Sequence, residues 1–308
     1  MDSISNEPQT LSTMITKKPE NITNFMMPCC FFESARKAFA HVLRQYSSRI
    51  LLIPAYIGYS SREGSGVFDP IRDSGIKYCF YKINKDLYIE MGDLRKRLLE
   101  NEEGILLLIH YFGFIDPNYS EVKKLAKELG YIIVEDYAHG LFTFLCGVDH
   151  DFDYAFFSLH KMLPYKKGGM LFSRCSQKIE TTEYYNLFEY DLFKIAQRRR
   201  ENYQMLKELI EPLCSRFHIH LLRDTIANAV PQSFPILLSD IKSRDRLYFG
   251  LNEAGYGVVS LYHELIREID GYYGDSHYLS SRILNLPIHQ DVCTDELELM
   301  IRNLKQLL

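Results

Sequence analysis

The sequence lacks most of the features that would classify it quickly. Tryptophan is absent, and basic residues do not outnumber acidic ones, with 36 Lys and Arg against 40 Asp and Glu. The net charge of −4 leaves no basic face for a nucleic acid or an anionic membrane. No apolar run approaches the ~18 residues that a membrane-spanning helix needs. The first residues, MDSISNEPQTLSTMITKKPEN, hold no apolar stretch of the kind a secretory leader carries, so the expected location is the cytoplasm. The seven cysteines, at 29, 30, 79, 146, 175, 214 and 293, form no Cys-x-x-Cys and no paired spacing. That pattern fits reduced thiols and argues against a disulfide framework or a zinc site. The glycines of the Tyr59–Gly66 loop do not make Gly-x-Gly-x-x-Gly, so the dinucleotide fingerprint is missing. Small-molecule chemistry remains.

What is present is ordinary globular material, 46% hydrophobic and 25% charged, in a chain long enough for a large domain and a smaller one. Residues 1–24 read as a loose arm. Ala35, Ala38, Phe39 and Val42 keep helical spacing after Glu33. Apolar strand-like runs follow at 49–53, 77–83, 105–110, 131–135, 154–158 and 170–173, with amphipathic helices expected at 91–100 and 120–129. Strands alternating with helices predict an α/β fold whose large, mostly parallel sheet is covered on both faces. After Ser173 the pattern changes to a long helix over 191–213, a strand at 233–238, a helix at 244–254 and a last helix over 295–308 capped by Thr294. The expected division is an arm at 1–24, a large domain at 25–190, and a long helix with a smaller α/β domain at 191–308.

Three strand ends carry polar residues: His110-Tyr111-Phe112-Gly113, Glu135-Asp136-Tyr137-Ala138-His139 and Ser158-Leu159-His160-Lys161. Polar groups directly after buried strands are costly unless they meet a ligand or one another, and ligands of parallel sheets bind beyond the carboxyl ends of the strands. An acid at one strand end, Ser-x-x-Lys at a later one and then Gly168-Gly169 entering another strand is an order that suits pyridoxal 5′-phosphate (PLP). A carboxylate keeps the pyridine nitrogen protonated, a lysine amine forms an imine and shuttles a proton, and a helix N-terminus takes the phosphate.

In these motifs the chain resembles the DegT/DnrJ/EryC1/StrS family, sugar aminotransferases of PLP fold type I (the aspartate-aminotransferase-like fold). Val134–His139 is similar to the family's V-E-D-x-A-Q/H, and Phe157–Lys161 with Gly168-Gly169 to its F-S-F-H…K and Gly-Gly. His110–Gly113 is similar to H-x-Y/F-G, Pro54-Ala55-Tyr56 to P-x-Y/T, and Ile283–His289 to L-x-L-P-x-H. The resemblance implies that Lys161 carries the cofactor and Asp136 pairs with the pyridine nitrogen. It also implies that His139 lies beside the ring hydroxyl, and that Ser158, Ser34, Ala35 and Arg36 contribute to cofactor binding. A homodimer, an amino-acid donor such as glutamate and a nucleotide-linked keto sugar as acceptor are implied in the same way.

The departures are specific. Lys161 follows Ser158 two residues sooner than in the family, and Lys166 and Lys167 are rival lysines. Ser34-Ala35-Arg36 lacks the family's glycine, and Gly58 stands where the family often has the aromatic that stacks on the ring, with Tyr56 and Tyr59 as the candidates to replace it. The Gly-x-Asn-x-Arg stretch that crosses the dimer is missing. A PLP-dependent sugar dehydratase, or a binding protein that has lost turnover, are the competing readings. His218 and His220 are expected in a strand as packing or surface residues, and Arg198-Arg199-Arg200 as a solvated helix face.

Overall fold

Runs such as Ile105-Leu106-Leu107-Leu108-Ile109 have no polar alternation, so a strand made from them needs cover on both faces. The computed structural model describes residues 29–101, 103–147, 151–174, 179–223 and 229–308; the arm expected at 1–24 lies outside them. A seven-stranded sheet forms the centre. Its strands are β1 (Cys29–Phe32), β2 (Leu51–Pro54), β3 (Tyr78–Tyr81), β4 (Ile105–Ile109), β5 (Ile132–Asp136), β6 (Tyr154–Ser158) and β7 (Gly169–Ser173), in the order β1-β7-β6-β5-β4-β2-β3. Strands β3, β2, β4, β5 and β6 run parallel, while β7 is antiparallel to β6 and β1 to β7. The fold expected from the alternation of strands and helices is the one observed.

The two-residue period of a strand divides the core. Leu51, Ile53, Ile105, Leu107, Val134 and Phe156 face one side, where they meet Phe39 and Val42 of α1 (Ala35–Gln45) and Ile71 of α2 (Phe68–Ser74). Leu52, Leu106, Leu108, Ile133 and Phe157 face the other side. Their cluster takes in α3 (Met91–Glu100), α4 (Tyr119–Glu128) and α5 (Leu141–Leu145), and also the long α6 (Leu192–Phe217). It continues without a break into a second sheet, ordered β10-β9-β8. Those strands are β8 (His220–Leu221), β9 (Ser233–Leu237) and β10 (Ile283–Pro287), packed with α7 (Ile241–Glu253), α8 (Gly274–Arg282) and α9 (Thr294–Leu307). Among the described residues every cysteine is a free thiol, no cluster of metal-ligating groups forms, and no helix is long and apolar enough to cross a membrane.

Several expectations need correction. Helix α6 runs past Pro212 to Phe217, so His218 is its left-handed C-cap at φ 52° rather than a strand residue. His220 does lie in a strand, exposed and 3.4 Å from Asp86. Helix α9 begins at Thr294 itself, and its cap is Cys293, whose N–H donates to Glu296 at 2.8 Å. The Arg198–Arg200 run is not a solvated face. Successive helical residues point about 100° apart, so three in a row cannot share one exposure. Arg199 turns inward to 3% exposure, donating to Gln290 Oε1 at 3.2 Å and to the carbonyl of Gln232 at 3.1 Å over the Phe142 ring. Burial lowers its pKa to about 10, still far above neutral pH. Arg200 and Arg198 donate to the carbonyls of Ala229 and Val292, so all three tie α6 to the chain that follows it.

The pair Gly168-Gly169 fixes how closely α1 approaches the sheet. A Cβ on Gly169 would lie 2.2 Å from the carbonyl carbon of Ser34 and 2.3 Å from its oxygen, both backbone atoms that cannot swing aside. Gly169→Ala is therefore expected to destabilise the fold by about 1–3 kcal/mol through overpacking. Urea denaturation measures this, and an unchanged midpoint would show that the contact is not tight.

Candidate active site

Strands β4, β5 and β6 end side by side, with Ile109 opposite Asp136 and Asp136 opposite Phe156. The polar residues that follow them therefore meet at one edge of the sheet. Glu135 and Asp136 are consecutive, so the strand period sends their carboxylates to opposite faces. Asp136, 4% exposed, uses Oδ1 to accept the Ala138 N–H at 2.7 Å, while Oδ2 has no hydrogen-bond partner among the described residues. Burial raises its pKa, and the hydrogen bond from the Ala138 amide acts against that rise.

Glu135 faces the opposite way and is completely buried. It accepts from Tyr119 Oη at 2.6 Å, lies 3.0 Å from His110 Nε2 and 4.0 Å from Lys123 Nζ. Lys123 also donates to Tyr119 Oη at 3.1 Å, and the His110 ring stacks on Tyr137 at 4.0 Å. A buried carboxylate is tolerable only with such partners. The network anchors the end of β5 from below and leaves Asp136 as the carboxylate that faces the site.

A single turn of 3₁₀ helix over Leu159–Lys161 follows β6 and brings the Lys161 amine to 2.9 Å from His139 Nε2. The tautomer follows from the other ring nitrogen. The Phe112 N–H donates to His139 Nδ1 at 3.3 Å, so Nδ1 is an acceptor. Burial holds the His139 pKa well below its ordinary value, so the ring is neutral and its proton is on Nε2. That N–H can only donate, and a lysine amine can accept only when it is neutral. The surrounding protein lowers the Lys161 pKa, and the Arg36 charge lowers it further against the pull of Asp136. The side chain nevertheless keeps surface open to solvent. Lys161 is thus an accessible amine near a carboxylate, with its neutral form favoured, the condition of a lysine nucleophile.

The start of α1 closes another side. Ser34 bridges to Gly168 and caps the helix, its hydroxyl accepting the Lys37 N–H at 3.3 Å. The N–H groups of Ala35 and Arg36 precede the first intrahelical bond, which Ala38 makes to Ser34. Arg36 donates to the Glu63 carbonyl at 2.5 Å and lies 3.6 Å from Asp69. Ser158 ends β6 with its hydroxyl 3.3 Å from His160 Nδ1. Of the rival lysines, Lys166 is exposed, and Lys167 pairs at the surface with Glu33 and Glu183, each at 3.4 Å.

Asp136, His139, Ser158 and Lys161 are brought together with the start of α1. Two contributors escaped the sequence reading. The Phe112 amide reaches His139 only because Phe112 adopts φ 56°, a left-handed conformation that no residue pattern announces. Tyr262 arrives from far along the chain to within 6.0 Å of the His139 ring, centroid to centroid. The one available signal was negative, the lack of a side chain at Gly58.

No family model matches the sequence, and no curated protein does. Solved structures do. The DegT DnrJ EryC1 StrS aminotransferase from Brucella abortus superposes at a TM-score of 0.70 and 14% identity, covering 90% of this chain and 85% of that one. NtdA from Bacillus subtilis with bound cofactor PMP matches at 0.70 and 14%, over 91% of this chain and 73% of its own. S. venezuelae DesV in complex with a ketimine intermediate matches at 0.70 and 15%, over 90% and 84%. The chain has the fold of the PLP-dependent aminotransferases of fold type I.

An amine reacts in its neutral form, so a lowered pKa moves the onset of reactivity to lower pH. Lys161 is expected to react with trinitrobenzenesulfonate along a pH profile whose midpoint lies below the ~10.4 of an ordinary lysine. Peptide mapping after partial labelling across pH measures it; coincidence with the surface lysines would contradict the lowered pKa.

Proposed function

We propose that the chain is a PLP-dependent aminotransferase that moves an amino group, with glutamate as donor, onto a nucleotide-linked keto sugar. The observation that carries this reading is the juxtaposition of the Lys161 amine, its pKa lowered, with the buried Asp136 carboxylate. The residues fit the cofactor. Asp136 Oδ2, nearly buried and unpartnered among the described residues, suits a protonated pyridine nitrogen. The Ala35 and Arg36 amides at the positive end of α1, with Ser34, Ser158 and the Arg36 guanidinium, suit a phosphate. His139 Nε2–H is a donor for the ring hydroxyl.

Bound there, PLP supplies an electron sink for the carbon that carries the amine. This chain's residues do the rest. The surroundings lower the Lys161 pKa, so its neutral form is favoured and can accept a proton from that carbon and return it, as a general base and then a general acid. Asp136 keeps the pyridine nitrogen protonated by its negative charge. The network around Glu135 holds Asp136 in register with β4 and β6. The reading extends to a cytoplasmic homodimer whose second subunit covers the open side of Lys161, and to products used in polysaccharide or secondary-metabolite biosynthesis. The exposed rings of Tyr184 and Phe193 near the start of α6 support an interface there.

The test is covalent trapping. Incubation with PLP, borohydride reduction and peptide mapping are expected to label Lys161, and Lys161→Ala to abolish the label. Glutamate is expected to yield 2-oxoglutarate and pyridoxamine phosphate with wild type. Asp136→Asn should retain PLP but slow that half-reaction by about 10²–10³-fold, the scale of losing a preorganised charge. Labelling without a response to any amino donor would point to a PLP protein without transamination. Absence of labelling would overturn the reading.

A further inference from the structure

The segment around Tyr262 lies against the loop that follows β2. Gly58 bridges to Leu265, the Tyr59 N–H donates to the Glu264 carbonyl at 2.9 Å, and the Ile266 N–H to the Ile57 carbonyl at 3.0 Å. Just before this pairing the chain makes a turn at Ser260–His263, with the His263 N–H donating to the Ser260 carbonyl at 3.2 Å. Within the turn Tyr262 adopts φ 63°. A bulky residue in the left-handed region pays about 1–2 kcal/mol for it, and such strain persists where the surroundings hold the residue for a purpose.

The strained backbone delivers the phenol ring into the site. Its centroid lies 5.3 Å from Tyr56, 5.7 Å from Tyr111, 6.0 Å from Phe112 and 6.0 Å from His139. Burial pushes the phenol pKa up, and the nearby Asp136 carboxylate adds to the rise. Beside it the Tyr56 hydroxyl is buried with no hydrogen-bond partner among the described residues. The ring has this position only because residue 58 is glycine. A Cβ there would stand 2.4 Å from Tyr262 Cδ1.

We propose that Tyr262 is a cofactor-positioning residue: its ring forms the wall of the site over Gly58 and packs on the face of the bound pyridine ring. The proposal rests on the PLP reading above. A flat, protonated heterocycle held by Asp136 at one edge and Lys161 at the other still needs a surface to fix its tilt. An aromatic face provides one with both dispersion and attraction to the cation. The side chain comes from the C-terminal part of the chain rather than from the loop after β2, so holding the cofactor also holds residues 260–266 against the large sheet.

The experiment measures PLP affinity and the visible circular dichroism of the bound cofactor in wild type, Tyr262→Phe, Tyr262→Ala, Gly58→Ala and the double variant. Covalent attachment at Lys161 is checked in each. Tyr262→Phe should keep both properties. Tyr262→Ala should weaken affinity about tenfold, the scale of one aromatic pair, and reduce the dichroic band while Lys161 is still labelled. Gly58→Ala should reproduce that loss by displacing the ring, yet add little in the Tyr262→Ala background. Thermal melts of the cofactor-free proteins separate this from unfolding, and they too should show the Gly58→Ala effect vanish in that background. Unchanged affinity and dichroism in Tyr262→Ala, with Lys161 labelled, would overturn the proposal and leave the PLP reading intact. Failure of wild type to bind PLP would overturn both.

Discussion

The end of β5 is the point on which the site depends. Two adjacent carboxylates sit there in a nearly solvent-free environment, and the strand period sends them in opposite directions. Glu135 is satisfied by Tyr119, His110 and Lys123. Asp136 has one oxygen on the Ala138 amide and the other without a partner among the described residues. One carboxylate carries the burden of fixing the backbone, so the second can stay incompletely satisfied, as a ligand-binding group must. Desolvation of that carboxylate raises its pKa, and the hydrogen bond from the Ala138 amide acts against the rise.

Around that pair the chain spends backbone strain and close approach rather than extra side chains. Phe112 and Tyr262 both take positive φ, and each thereby places a group against His139, an amide in one case and a ring in the other. Gly169 lets the start of α1 lie directly on β7, and the Arg36 charge near the start of that helix acts on Lys161. His139 joins these parts. Its Nδ1 is fixed by the loop after β4, and its Nε2 then favours the neutral form of the Lys161 amine.

The α/β class, the main sheet strands and the principal helices were legible because burial on two faces leaves continuous apolar runs, as in Ile105–Ile109, while amphipathic helices keep a 3.6-residue spacing, as in α1. Short elements such as β1 and α2 were not, since four to seven residues carry too little periodicity. The three arginines of α6 misled for a related reason. Charge suggested solvent, but the helix period turned Arg199 inward, where unpaired carbonyls from the segment before β9 awaited a donor.

By itself the sequence determined the order of strand ends, the acid and the group of candidate lysines that would meet there, and the glycines that permit close contact. These are local properties, set by residue type and spacing. Only the tertiary structure decided which of three lysines faces Asp136, which tautomer His139 adopts, and which distant ring fills the space that Gly58 leaves. Those outcomes depend on groups tens to hundreds of residues apart, such as Phe112 with His139 and Gly58 with Tyr262. A contact between remote segments leaves no period or spacing in the chain; it exists only once the sheet has brought them together.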